Sequence, residues 1–265
     1  VVCWGDGRKG QVNKNSTTGT KTELTNPTAI FSGGNQSCAV DDGALKCWGD
    51  VGMSGQDNPT SVSLGTYHGC SAGAAGVLCG FTSAAQDNSA YRQGQTDVPS
   101  LSNPVEVAVG STHTCALDDT GVVCWGSNSQ GQTDIPALSD PIQISAGSGH
   151  TCVLDRVGGL YNDVVCWGYN IYGQIDSHAV SNPTQVALGG QNTCVLDDNG
   201  VSCWGGNSHG QSTVPALSNP TKIQVGANHV CALDDTGVVC WGNNWWSQLG
   251  GPIFVFDPDG DGVSN

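Results

Sequence analysis

The chain has 265 residues, only 12% of them charged, with 39 Gly, 11 Pro and 13 Cys. Its net charge of -15, from 8 Lys and Arg against 23 Asp and Glu, argues against nucleic acid and against an anionic membrane surface as partners. No apolar run approaches the roughly 20 residues that span a bilayer, so no membrane insertion is expected.

Abundant Val, Thr and turn formers, beside little Ala, Leu, Glu and Lys, predict strands and almost no helix. The chain opens in mid-pattern: Val1-Val2-Cys3-Trp4, followed by Gln11, is the second half of a unit that then recurs in full. Pro27, Gly33, Cys38, Cys47-Trp48 and Gln56 mark the first complete copy. The second has Pro59, Gly65, Cys70 and Gln95, with Cys79-Gly80-Phe81 in place of Cys-Trp. Pro104, Gly110, Cys115, Cys124-Trp125 and Gln132 mark the third, and Pro141, Gly147, Cys152, Cys166-Trp167 and Gln174 the fourth. The fifth has Pro183, Gly189, Cys194, Cys203-Trp204 and Gln211, and the sixth Pro220, Gly226, Cys231 and Cys240-Trp241, with Gln248 breaking the spacing. Pro252-Ile253-Phe254-Val255-Phe256 then reads as the opening strand of another unit, suited to pairing with the N-terminal half-unit and closing a ring.

Within a unit, His113-Thr114-Cys115-Ala116-Leu117 and Val122-Val123-Cys124-Trp125 are β-prone runs joined by Asp118-Asp119-Thr120-Gly121, a hairpin turn by composition. Residues 105–109 supply a preceding strand, and a short outer strand is expected after Gln132. Three or four strands repeated seven times predict an all-β, seven-bladed β-propeller over residues 1–256.

The run from His113 to Gln132, H-T-C-A-L-D-D-x-G-V-V-C-W-G-x-N-x-x-G-Q, returns near residues 229–248 and resembles the regulator of chromosome condensation (RCC1-type) repeat family. The resemblance covers residues 1 to about 251 and implies a seven-bladed propeller. The family's functions range from guanine-nucleotide exchange to inhibition of secreted β-lactamases, so the resemblance carries fold and not function.

The cysteines pair across hairpins: Cys38 with Cys47, Cys70 with Cys79, Cys115 with Cys124, Cys194 with Cys203 and Cys231 with Cys240, each nine residues apart. Cys152 and Cys166 are fourteen apart because residues 156–163 lengthen the turn. Opposed positions on antiparallel strands suit disulfides, whereas zinc sites want closer pairs. Six such bridges predict an oxidising compartment, secreted or at the cell surface. Cys3 is left over. Its partner is expected on a strand upstream of Val1, as in a longer precursor.

His68, His113, His150 and His229 share a slot with Gln36 and Asn192, which predicts a repeated hydrogen bond to the neighbouring blade in preference to a metal ring. The repeated tryptophans are expected between blades. The Asp pairs 41/42, 118/119, 197/198 and 234/235 belong to turns. Tyr169, Tyr172, His209, Trp245 and Trp246 break the repeat in the loops between Cys-Trp-Gly and Gly-Gln. They form a candidate binding arc across three consecutive blades. Residues 82–93 enlarge one loop on that face, and residues 12–23 and 156–163 are expected on the opposite face.

Residues 257–265 form a separate segment in which Asp257, Asp259, Asp261 and Asn265 occupy positions 1, 3, 5 and 9 of a calcium loop, with Gly at 6. It resembles the start of a thrombospondin type 3 repeat, which implies calcium as a cofactor. No motif for a nucleophile, P-loop or metalloprotease is present, and no catalytic residue is assigned. The reading is an extracellular binding module for a protein or a glycan, of open oligomeric state. The alternatives are a secreted polysaccharide lyase or hydrolase with its site in the propeller channel, and a structural module of an adhesin or filament.

Overall fold

Short runs of Val, Ile, Thr and Cys, punctuated by Gly, Asp and Asn, favour strands and tight turns. A computed structural model describes residues 24–245 apart from 51, 52, 54, 55, 83, 84, 86 and 87, together with residue 249. Among the described residues these runs form eighteen strands and one short 3-10 turn, Ser89–Tyr91.

The strands make six antiparallel sheets of three, each in chain order. Sheet one is β1 (Pro27–Gly33), β2 (Gln36–Asp41) and β3 (Ala44–Gly49); sheet two is β4 (Ser61–Leu64), β5 (His68–Gly73) and β6 (Gly76–Phe81). Sheet three is β7 (Glu106–Val109), β8 (His113–Asp118) and β9 (Gly121–Gly126); sheet four is β10 (Pro141–Ala146), β11 (His150–Val157) and β12 (Tyr161–Gly168). Sheet five is β13 (Gln185–Leu188), β14 (Asn192–Asp197) and β15 (Gly200–Gly205); sheet six is β16 (Lys222–Val225), β17 (His229–Asp234) and β18 (Gly237–Gly242). The first strands of successive sheets stand side by side, as blades do around an axis.

Six blades are therefore described where seven were expected. The N-terminal half-unit, with Cys3, and residues 252–256 lie outside the described residues. The outer fourth strand expected after Gln132 does not form. Residues 133–140 instead cross the blade as a connector, with Pro136 unable to donate to a ladder and Leu138 packed into the core.

Register explains the staples. Asp118 faces Gly121 across each typical hairpin, so Cys115 faces Cys124 directly. Gly121 sits at φ +110, where a side chain is strained. All six expected disulfides form, with Cα separations of 4.0–4.1 Å. In sheet four the hairpin extends through Arg156 opposite Asn162 and Val157 opposite Tyr161, which accounts for the longer Cys152–Cys166 spacing.

The core is divided among the seams between sheets. Val107, Ile144, Val186 and Ile223 of the first strands each pack against the second strand of the preceding sheet. Trp125, Trp167, Trp204 and Trp241 of the third strands fill the same seams, as their recurrence predicted. Each indole Nε1–H donates to the carbonyl of the Gly-Gln glutamine before it: Trp125 to Gln95 (2.9 Å), Trp167 to Gln132 (3.0 Å), Trp204 to Gln174 (3.2 Å) and Trp241 to Gln211 (3.0 Å).

Candidate functional site on the loop face

Three polar positions recur in the unit, and two of them serve the scaffold. The first is the histidine slot. His68 Nε2 lies 2.7 Å from Thr114 Oγ1, His113 3.0 Å from Thr151 and His150 3.1 Å from Thr193. Each threonine hydroxyl donates onward to the carbonyl of Gln95, Gln132 or Gln174, so the histidine N–H is the donor. Gln36 instead donates to the carbonyl of Gly65 (3.1 Å), whereas the shorter Asn192 reaches only Cys194 Sγ of its own strand. Burial depresses these imidazoles, to about 3 for His68 and His150 and about 4 for His113, and His113 adds repulsion on the other two. Gly110 leaves room for this slot: a Cβ there would meet the His113 ring at 2.2 Å and the Gly147 carbonyl at 2.6 Å.

The second position is the buried first Asp of the turn, present in every sheet except the second, where Gly73 replaces it. Asp234 accepts from Ser218 N (2.9 Å) and from Thr236 N and Oγ1 (2.8 and 2.7 Å), which hold its carboxyl below the usual range. These carboxylates pin the connectors to the hairpins, as turn chemistry predicted. Among the described residues no group of three or more His, Cys, Asp or Glu could hold a metal ion.

The third position is a loop on the opposite face, after each third strand. Ser127 N donates to Thr112 O, which brings this loop beside the one joining the first two strands. Asn128 Nδ2 donates to Asp134 Oδ1 (2.7 Å), Thr133 N to Asn128 Oδ1 (3.1 Å) and Gln130 N to Gln132 Oε1 (2.8 Å). The same frame is built in sheet four by Asn170, Asp176 and Gln174, and in sheet five by Asn207, Thr213 and Gln211. Asn244 accepts from Leu249 N in sheet six. Two residues stand at each tip in sheets three to five, Ser129-Gln130, Ile171-Tyr172 and Ser208-His209, and Trp245 holds the first tip position in sheet six.

The candidate arc falls on these frames. Tyr172 is 48% exposed and meets half-buried Tyr169 edge-on at 6.2 Å. His209 lies 5.1 Å from the ring of Trp245, which is 76% exposed and joins the tips of sheets five and six. Trp246 lies outside the described residues, as do the calcium-loop residues Asp257, Asp259, Asp261 and Asn265. Sequence reading missed Ile171, 75% exposed at the tip position that Trp245 holds in the sixth frame. The repeat offset was the available signal, hidden by a search for aromatics. A second group on this face, Tyr67 stacked on Tyr91 at 4.0 Å with Arg92 over Phe81 at 5.2 Å, was also missed.

Fold and site together define a disulfide-stapled repeat propeller. Residues 105–132, 142–174, 184–211 and 221–244 match the Regulator of chromosome condensation (RCC1) repeat, each match running from first strand to loop frame. No curated protein matches the chain. Among solved structures it is similar to Prp20p of Saccharomyces cerevisiae, at 17% identity over 94% of this chain and 82% of that one, with a TM-score of 0.74. The CRINKLY WD40 ectodomain of the Arabidopsis thaliana receptor kinase ACR4 is 22% identical over 84% of this chain and 81% of that one, TM-score 0.64. The ectodomain of Physcomitrella patens receptor kinase CR4 is 21% identical over 82% of this chain, TM-score 0.65, and the chain spans 61% of its length. The likeness to these three structures is one of fold.

Proposed function

We propose that the chain is a non-enzymatic, extracellular binding module that docks a protein partner on its loop face, across sheets four to six. The observation that carries this reading is the exposure of Ile171, Tyr172 and Trp245 on loop frames held by their own hydrogen bonds. Large apolar side chains held on a rigid scaffold are the usual anchors of protein interfaces. The extracellular setting draws on the six disulfides and on the likeness to two receptor-kinase ectodomains. Among the described residues no helix is long and apolar enough to cross a membrane. A seventh blade, built from the N-terminal half-unit and residues 252–256, belongs to the same proposal, and so does calcium at Asp257, Asp259, Asp261 and Asn265.

The test is a screen of the chain against extracellular proteins and glycans, with and without calcium, comparing wild type with Trp245→Ala/Trp246→Ala. Protein binding that collapses in the double variant is expected. Binding that the double variant retains would put the site elsewhere. A calcium requirement that survives Asp259→Ala/Asp261→Ala would rule out the C-terminal loop.

A further inference from the structure

The frames repeat their backbone bonds, while their tips differ in size and polarity. In sheets three, four and five the second tip residue, Gln130, Tyr172 or His209, gives its N–H to the glutamine Oε1 of its own frame at 2.8–3.0 Å. The tip side chains contribute little to the frame, so they are free to be chosen for a ligand. From sheet three to sheet six the first tip residue runs Ser129, Ile171, Ser208, Trp245, so a small hydroxyl alternates with a large apolar side chain.

We infer that these tip pairs determine specificity, and that sheets four to six take a cationic polypeptide segment bearing an apolar side chain; this rests on the docking reading above. Charge supplies the first reason. Residues 166–182, 203–217 and 240–245 contain no Lys or Arg, while Asp176 is exposed at the base of the Ile171-Tyr172 frame. The described cations lie elsewhere: Lys46 and Arg156 are paired with Asp41 and Asp140 at the turns, Arg92 covers Phe81, and Lys222 is on a first strand. An exposed indole and phenol on loops without Lys or Arg, on a chain of net charge -15, attract a guanidinium or ammonium by cation–π contact and by field.

Hydrogen-bonding capacity supplies the second reason. A glycan needs several free donors and acceptors, yet Asn170 and Asp176 are bonded to each other, Asn170 Oδ1 is taken by Ile175 N, and Gln174 is buried with its Oε1 taken by Tyr172 N. A segment with an aliphatic or aromatic side chain flanked by Arg or Lys needs only apolar surface and negative potential.

The experiment titrates the full chain with three probes: short synthetic peptides carrying Leu or Trp flanked by Arg, the same peptides flanked by Glu, and neutral oligosaccharides. The Arg-flanked peptides are expected to bind. Trp245→Ala and Ile171→Ser should each weaken them about tenfold or more. Raising salt from about 0.05 M to about 0.5 M should weaken them further. Replacing the fourth tip pair by the third, Ile171→Ser/Tyr172→Gln, should remove binding while the melting temperature stays put. Equal binding of Arg- and Glu-flanked peptides, or indifference to salt, overturns the cationic segment and leaves the docking face standing. Arg-peptide binding that survives both single variants overturns the docking face itself. Oligosaccharide binding alone, or no binding by any probe, overturns the inference.

Discussion

His68, His113 and His150 are buried with no counter-charge, and burial holds their protonation at about 3 to 4, against 6.5 for the free side chain. Between those values the unfolded chain binds protons that the folded chain refuses. Stability is therefore intact above 6.5, falls as pH drops below it, and levels off near 3 to 4. At about pH 5 each histidine costs roughly 2 kcal/mol by this linkage. Chemical denaturation of wild type should show that loss on going from pH 7 to 5, and His68→Gln/His113→Gln/His150→Gln should flatten it. A variant that loses stability with acid as steeply as wild type would assign the effect to other groups. The slot was readable because Gln36 and Asn192 share it, which pointed to hydrogen bonding across blades. The relay through Thr114, Thr151 and Thr193 to a glutamine carbonyl was not readable, because it depends on which residues of adjacent units meet in a seam.

The first strands pose a different problem, since each is a sheet edge whose outward N–H groups need acceptors. Side chains of the preceding blade supply them. Ser61 and Ser63 accept from Val107 and Val109, Gln143 from Val186 and Ser145 from Leu188, at 2.9–3.2 Å. Gln185 both accepts from Ile223 N (2.9 Å) and donates to Ile223 O (2.8 Å). Glu106 holds the same place in sheet three and accepts from Ile144 N at 3.0 Å, with burial raising its carboxyl to about 7. The sign here is opposite to that of the histidines. The protonated acid suits the seam below the free-chain value of 4.5, and stability is lost as pH rises through about 7. Glu106→Gln, which copies its neighbours, should raise the melting temperature at about pH 8 and leave it unchanged near pH 4. A variant that melts lower at about pH 8 would show that the ionised carboxylate is needed there. At this scale the hairpins and disulfides were legible from alternation and cysteine spacing. The connectors were misread as outer strands, because the inward turn at Leu138 is a packing choice that periodicity does not encode.

A chain of blades that touch only their neighbours is close to one-dimensional, so its ends reveal themselves by exposure. Ile223 of β16 is fully buried and Val107 of β7 nearly so, yet the equivalent Ile30 of β1 is 57% exposed. Leu196 of β14 is buried, while Leu233 in the same place on β17 is 45% exposed and Val238 beside it 52%. Sheets one and six thus present the two half-seams that a blade between them would cover, and the proposed seventh blade would convert both into seams like the others. Ile30→Asp and Leu233→Asp discriminate between the alternatives. If the blade is seated, each change places a carboxylate in a seam and should cost about 3 kcal/mol or more, the scale of a disrupted core position. If the two faces meet water, both changes should stay within about 0.5 kcal/mol of wild type. Denaturant midpoints of the full chain read the difference, with Val107→Asp as the buried standard. Ile30→Asp matching that standard while Leu233→Asp stays neutral would mean that the added blade packs on sheet one alone and leaves the ring open at sheet six.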